Sequence, residues 1–267
     1  MVNAKKSLGQ NFLHDEKVLE DILIASEIES DETVVEIGPG EGFLTRALLE
    51  KAKHVLAIEL DRDLYPWLRL DFGKNPKFTL IEGDALRYDP PKTPYKLIAN
   101  IPYYITSPIL NHFLREQFVS GNPPTRMVLM VQREVAEKIV CKDTKHSVLS
   151  LEVQLFGSPK LVRIVAPSCF RPKPKVDSAV LQINVYSEPK VKGNMQKLLW
   201  LFKMSFAQKR KKLSNNLSSA LKLSTTEIKK ILEENGISPD TRAEDLSLEN
   251  WQTLFNALDS LLPSFSK

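Results

Sequence analysis

The chain has 267 residues, of which 42% are hydrophobic and 26% charged, a composition that excludes a disordered polymer and allows one large domain or a large and a small one. Its formal net charge is only +4, so any surface that binds a polyanion must arise from local clustering of Lys and Arg.

In chain order, the N-terminal stretch holds Lys5 and Lys6 but no apolar segment of a secretory leader, and Asp15, Glu16, Glu20 and Asp21 follow too early for an acid-poor transit peptide. Residues 15–28 place Val18, Leu19, Ile22, Leu23 and Ile28 at helical spacing behind an acidic first turn. Short apolar runs then alternate with helical stretches. Strands are expected at Thr33–Ile37, Val55–Leu60, Phe78–Ile81, Leu97–Ala99 and Met127–Val131, with helices at Phe43–Lys51, Asp63–Gly73 and Ser107–Gln117. This alternation predicts a parallel sheet covered on both faces. Helices are expected at 133–141 and 147–156, then two strands at Lys160–Val165 and Ala179–Tyr186, placed to form an antiparallel edge. Glu188-Pro189-Lys190 marks a domain boundary. Beyond it only helices are expected, at 194–207, 209–222, 226–235 and 247–262. Ser224 and Glu227 have capping-box spacing, and Gly236 stands where a helix ends. The division is therefore an α/β domain over 1–188 and a small helical domain over 189–267.

Cys141 and Cys169 are too few for a disulfide scaffold and read as small buried hydrophobes in a reducing cytoplasm. Trp67, Trp200 and Trp251 are read as packing residues. No apolar run reaches the ~18 residues a membrane span requires.

Three strand ends carry the chemistry. Glu36-Ile37-Gly38-Pro39-Gly40-Glu41-Gly42 runs from a strand into a helix, and its glycines let backbone approach a ligand at the point where an open sheet binds one. The third glycine falls one residue early for a dinucleotide fingerprint. Glu59 ends the second strand, about twenty residues past Gly38, where a carboxylate accepts from both ribose hydroxyls of an adenosine. Asp84 ends the third and is an acceptor for an adenine amino group.

The fourth strand ends in Asn100-Ile101-Pro102-Tyr103-Tyr104. Pro102 fixes its own φ and holds Ile101 extended. The lone pair of an exocyclic amine is delocalised into the ring. Two acceptors, the Asn100 side-chain oxygen and the Ile101 carbonyl, would take its two hydrogens and free that lone pair for a methyl donor. Tyr103 offers a stacking face. This chemistry requires neither a metal nor a strong general base.

Taken together, Gln10-Asn11-Phe12-Leu13, the glycine turn, Glu59, Asp84, Asn100–Tyr103, the segment Phe170-Arg171-Pro172-Lys173-Pro174-Lys175-Val176-Asp177-Ser178-Ala179-Val180 and Phe206–Leu217 resemble the KsgA-type ribosomal RNA adenine dimethyltransferases. The resemblance spans residues 5 to about 217. It implies a class I, Rossmann-like S-adenosylmethionine methyltransferase domain followed by a small all-helical domain that binds RNA. The implied reaction adds two methyl groups to N6 of each of two adjacent adenosines near the 3′ end of small-subunit ribosomal RNA, in a pre-ribosomal particle, by a cytoplasmic monomer. By motif position it implies that Asn11, Leu13, Gly38, Glu59, Asp84 and Asn100 contact the cofactor. Asn100, Pro102 and Tyr103 frame the adenine, with Phe170 over its other face. Large-subunit adenine methylation and a non-catalytic assembly role remain open at this point; a DNA enzyme would carry Asp-Pro-Pro-Tyr.

Pro189–Thr226 contains nine Lys or Arg and no acid, and Ser158–Val176 contains five and none. Such clustering suits phosphate contacts, with Lys209, Arg210, Lys211 and Lys212 the expected RNA-binding residues.

Overall fold

The computed structural model describes residues 4–141 and 145–265. Two compact units result: Met1–Glu137 with Gly157–Tyr186, and Lys138–Phe156 with Ser187–Lys267. In chain order the elements are β1 (Phe12–Leu13), α1 (Glu16–Ser26), β2 (Thr33–Ile37), α2 (Phe43–Lys51), β3 (His54–Glu59), α3 (Tyr65–Phe72) and β4 (Phe78–Glu82). Next come β5 (Tyr95–Asn100), α4 (Thr106–Ile109), α5 (Gln117–Ser120), β6 (Arg126–Gln132), α6 (Arg133–Val140), α7 (Val148–Phe156), β7 (Gly157–Val165), β8 (Phe170–Arg171) and β9 (Ser178–Val185). Four helices follow: α8 (Met195–Ser205), α9 (Leu213–Leu221), α10 (Thr225–Glu234) and α11 (Leu248–Leu258).

The first unit is built on a seven-stranded sheet of order β4-β3-β2-β5-β6-β9-β7. The β2 to β6 strands run parallel; β9 is antiparallel to both its neighbours. The central strands are apolar on both faces, as burial under helices on each side requires: Val34, Val35, Leu97, Ile98 and Met127–Val131 are all buried. Strand order reverses between β2 and β5, which is where open α/β sheets bind ligands. Register pairs Ile37 with both Ile58 and Ala99, and Glu59 with Glu82. Four carboxyl ends therefore finish level at that switch point.

Local chemistry sets the boundaries. Asp15 accepts from the Val18 amide at 3.0 Å and starts α1. Gly42 starts α2 with φ +77°, and a Cβ there would lie 2.4 Å from the Phe72 ring, so no other residue fits. The helix expected over 107–117 forms, but Leu110–Glu116 widens into a π-helical stretch that buries Leu110, Phe113 and Leu114.

Two expectations are corrected here. Trp67 is 53% exposed and not a packing residue. The buried stripe of α3 and the turn before it is Leu64, Leu68 and Phe72, spaced by four, and Trp67 falls off it. The domain boundary at 188 also needs amending. The chain does change unit after Tyr186, but residues 138–156 already belong to the second unit. There the Lys190 amide donates to the Leu155 carbonyl at 2.9 Å, and the His146 amide to that of Glu244 at 2.8 Å.

The second unit is helical among its described residues. Its core gathers Leu198, Leu201, Phe202, Trp251, Leu254 and Phe255, with Phe202 edge-on to Trp251 at 4.9 Å. The capping box at α10 is present: Glu227 N–H donates to Ser224 Oγ at 3.2 Å and Ser224 N–H to Glu227 Oε2 at 2.8 Å. Gly236 follows that helix with φ +70°.

Candidate active site

A cleft enclosing about 1100 Å³, part of it open to solvent, lies over the carboxyl ends of β2 to β5. Of the residues expected at the site, Asn11, Leu13, Gly38, Glu59, Asp84, Asn100, Pro102 and Tyr103 all line it.

The β2 end supplies two things. Gly38 and Gly40 have φ +68° and +60°, which only glycine adopts without strain, and they bring backbone to the cleft floor. Glu36 is the second. It is 1% exposed, and its Oε2 has no hydrogen-bond partner. Burial pushes its carboxyl up to about 8, against the opposing pull of the Thr45 hydroxyl and with the Glu59 charge adding to the rise. The carboxyl lines the cleft, and the ammonium of an amino-acid ligand beside it would favour its ionised form.

Glu59 at the β3 end is 5% exposed. Its Oε1 accepts from the Asp61 amide at 2.8 Å and its Oε2 from the Gly40 amide at 3.2 Å. Burial raises its carboxyl, and these two amides oppose that rise. A carboxylate offers about four acceptor positions, so Glu59 keeps capacity for a further donor such as a ribose hydroxyl. Asp84, after β4, uses Oδ1 to accept from the Leu86 amide at 3.0 Å. The residues therefore fit an adenosine carrying an amino-acid tail: Glu59 and Asp84 for the nucleoside, Glu36 and the glycine turn for the tail.

At the β5 end, Asn100 Nδ2 donates to the Asn11 carbonyl at 3.0 Å. That bond fixes the amide with its oxygen left to accept. Tyr103 is pinned by a 2.6 Å hydrogen bond between its hydroxyl and Ser178 Oγ, and burial raises its phenol. Tyr104, beside it, is 61% exposed.

Two expected residues sit otherwise. Phe170 does not line the cleft. It is 2% exposed, paired with Leu13 in the β1–β8 ribbon, and part of the core with Leu13, Val18 and Val165. In the second unit, Lys209, Arg210, Lys211 and Lys212 form an exposed turn between α8 and α9, but Lys212 pairs with Asp240 at 2.6 Å. Of the basic residues before Val176, Arg163 pairs with Asp21 and Arg171 with Glu41, while Lys160, Lys173 and Lys175 are exposed.

Sequence reasoning missed the contribution of the N-terminal segment beyond Asn11 and Leu13. Leu8, Gly9, Gln10 and Phe12 form one wall of the cleft. Gly9 packs on Tyr104 and Gly40 on the Phe12 ring, so closely that a Cβ would lie 3.3 Å and 2.9 Å away. Glu36 was visible as an acid on a strand, but its role needed its burial to be known.

The fold and cleft are those of a class I S-adenosylmethionine-dependent methyltransferase. A family model described as ribosomal RNA adenine dimethylase matches residues 1–260. The chain is 42% identical to the ribosomal RNA small subunit methyltransferase A of Clostridium botulinum strain Loch Maree, over 96% of this chain and 94% of that one. It is also 42% identical to the protein of that name from Clostridium perfringens strain SM101, over 96% and 91%. Among solved structures, the dimethyladenosine transferase of Plasmodium falciparum aligns with TM-score 0.77 and 26% identity, covering 94% of this chain and 98% of that one. The 23S rRNA methyltransferase ErmE aligns with TM-score 0.76 and 28% identity, covering 93% and 100%. The chain belongs to the ribosomal RNA adenine dimethylase family.

Proposed function

We propose that this enzyme adds two methyl groups to N6 of each of two adjacent adenosines near the 3′ end of small-subunit ribosomal RNA, acting as a cytoplasmic monomer on a pre-ribosomal particle. The observation that carries this reading is the orientation of Asn100, whose amide nitrogen is committed to Asn11 while its oxygen is left to accept.

S-adenosylmethionine supplies an electrophilic methyl group when bound. Glu59 and Asp84 would hold the adenosine part, and Glu36 with Gly38 and Gly40 the amino-acid part, with Asn11 and Leu13 contacting it from the N-terminal wall. The Asn100 side-chain oxygen and the Ile101 carbonyl accept the two hydrogens of the adenine amine, which turns its lone pair toward the donor. Orientation of this kind can supply several of the roughly 7–11 kcal/mol that good positioning offers. Pro102 stiffens the turn, and Tyr103, held by Ser178, presents a fixed ring for the base. The target base must leave its stack to reach this point. Exposed Lys209, Arg210 and Lys211 in the second unit, and Lys160, Lys173 and Lys175 in the first, supply phosphate contacts.

Small-subunit RNA is favoured by the curated relatives at 42% identity. Both cysteines are free, which suits a reducing compartment, and no described helix is long and apolar enough to cross a membrane. The likeness to ErmE makes a large-subunit adenine the competing substrate. A methyl-transfer assay on unmethylated small-subunit particles, naked small-subunit RNA and large-subunit RNA, read by mass spectrometry of the nucleosides, tests the proposal. Dimethyladenosine in small-subunit particles is the expected product. Transfer confined to large-subunit RNA, or a single methyl only, overturns it.

A further inference from the structure

The N-terminal wall of the cleft is fastened at its two ends by different means. At one end Asp61 takes hold of it. Lys5 Nζ donates to Asp61 Oδ1 and lies 2.6 Å from Asp63 Oδ2, while Gln10 Nε2 donates to Asp61 Oδ2 at 2.8 Å. Gln10 Oε1 in turn accepts from the Lys5 amide at 2.7 Å, so that hydrogen bonds link Lys5, Gln10 and Asp61 in a closed ring. The Asp61 side chain is 1% exposed, and both its oxygens are used. Burial opposes its ionisation, but the bonds from Lys5 and Gln10 outweigh that and hold its carboxyl below the ordinary value. At the other end, one residue past Gln10, the Asn11 carbonyl receives the Asn100 amide.

Asp61 also touches the cofactor side, because its backbone N–H is the donor that orients Glu59 Oε1. A continuous path therefore runs from Glu59 through Asp61 and Gln10 to Asn11 and Asn100. We infer that Lys5, Gln10 and Asp61 are positioning residues: their hydrogen-bonded ring holds the Asn11 carbonyl where it orients the Asn100 amide, so that the acceptor of the target amine is set from the cofactor end of the cleft. Without the ring, Asn11 keeps only local ties: its own Nδ2 to the Gly9 carbonyl at 3.1 Å, the neighbouring two-residue β1–β8 ribbon, and Phe12 against Gly40. None of these ties it to the cofactor end of the cleft, and the Asn100 amide then has a less firmly placed partner.

The inference rests on Asn100 accepting from the adenine amine, and the test separates the two. Gln10→Glu keeps the size and the Oε1 acceptor but replaces the donor by a carboxylate against Asp61; Asp61→Asn removes the charge that Lys5 meets. Each variant of the full chain is followed by the Asn100 side-chain amide resonance in nitrogen-15 spectra without RNA, and by kcat on small-subunit particles at saturating cofactor. The expected result is a shift of that resonance toward a solvent-exposed amide and a fall in kcat of about tenfold, the scale of one charged hydrogen bond. Gln10→Asn, whose shorter side chain withdraws both the donor and the acceptor without adding a charge, should move both readouts in the same direction. An unmoved Asn100 resonance or an unchanged kcat in folded Gln10→Glu protein overturns the inference. If the wild-type chain methylates no small-subunit RNA, the functional reading fails while the resonance still reports on the ring.

Discussion

Replacing Glu36 by Gln is expected to stabilise the protein at neutral pH. The carboxyl is buried with one oxygen unpartnered, and it is pushed up to about 8 from its ordinary 4.5. In the unfolded chain it is ionised at pH 7, so folding must bind a proton against about 2.5 pH units. At roughly 1.4 kcal/mol per unit this costs about 3 kcal/mol. The raised value belongs to an acid, so the cost is absent below pH 4.5, grows between 4.5 and 8, and levels off near ~5 kcal/mol above 8. Glutamine has nearly the same shape and needs no proton. Urea unfolding followed by circular dichroism at pH 5, 6, 7 and 8 should show a gap between variant and wild type of under about 1 kcal/mol at pH 5, widening to about 3 kcal/mol at pH 7. A gap that is the same at pH 5 and pH 8 is incompatible with proton uptake by Glu36 on folding. The same variant should bind S-adenosylhomocysteine about tenfold more weakly at pH 8, because an amide replaces the charged partner of the ligand's ammonium.

Asn100→Ala should lower kcat by roughly a hundredfold or more, with cofactor affinity changed by less than tenfold, as loss of a bond that matters in the transition state requires; titration calorimetry and single-turnover methyl transfer separate the two. Gly40→Ala puts a methyl into the Phe12 ring at a positive φ, so cofactor affinity should fall at least about tenfold by calorimetry. Phe170→Ala should cost about 3–5 kcal/mol in urea unfolding, as a core deletion does, while RNA affinity per folded molecule stays within about twofold. Neutralising Lys209, Arg210 and Lys211 together should reduce the salt slope of RNA binding by about 0.7–0.9 for each phosphate left without its cation, and neutralising Lys212, already paired with Asp240, should add little.

Most of the sheet was legible because its signals are local. Thr33–Ile37 and Phe43–Lys51 form as expected, since an unbroken apolar run and a glycine-punctuated turn need no partner to be recognised. The acids at successive strand ends marked the cleft for the same reason. What escaped was decided at long range. Phe170 sits in a loop rich in proline and lysine, which reads as exposed, and only its pairing with Leu13 buries it. Gln10 looked like part of a motif, yet its role is set by Asp61, which carried no signal of its own. Trp67 is a different case: the Leu64, Leu68, Phe72 spacing was there to be read and placed it outside the stripe.

The assignment of residues 138–156 to the second unit has a consequence for how this enzyme can be taken apart. The chain crosses between units after Glu137, after Phe156 and after Tyr186. The helical unit is thus an insertion and a tail at once, and no single cut releases it. A truncation at residue 188 would strand α7, removing α8 against which it packs and the Lys190 amide that its Leu155 carbonyl accepts from, and would not yield a minimal methyltransferase. A trimmed enzyme would need the 138–156 excursion replaced by a short linker as well, so that two separated stretches of sequence are removed together.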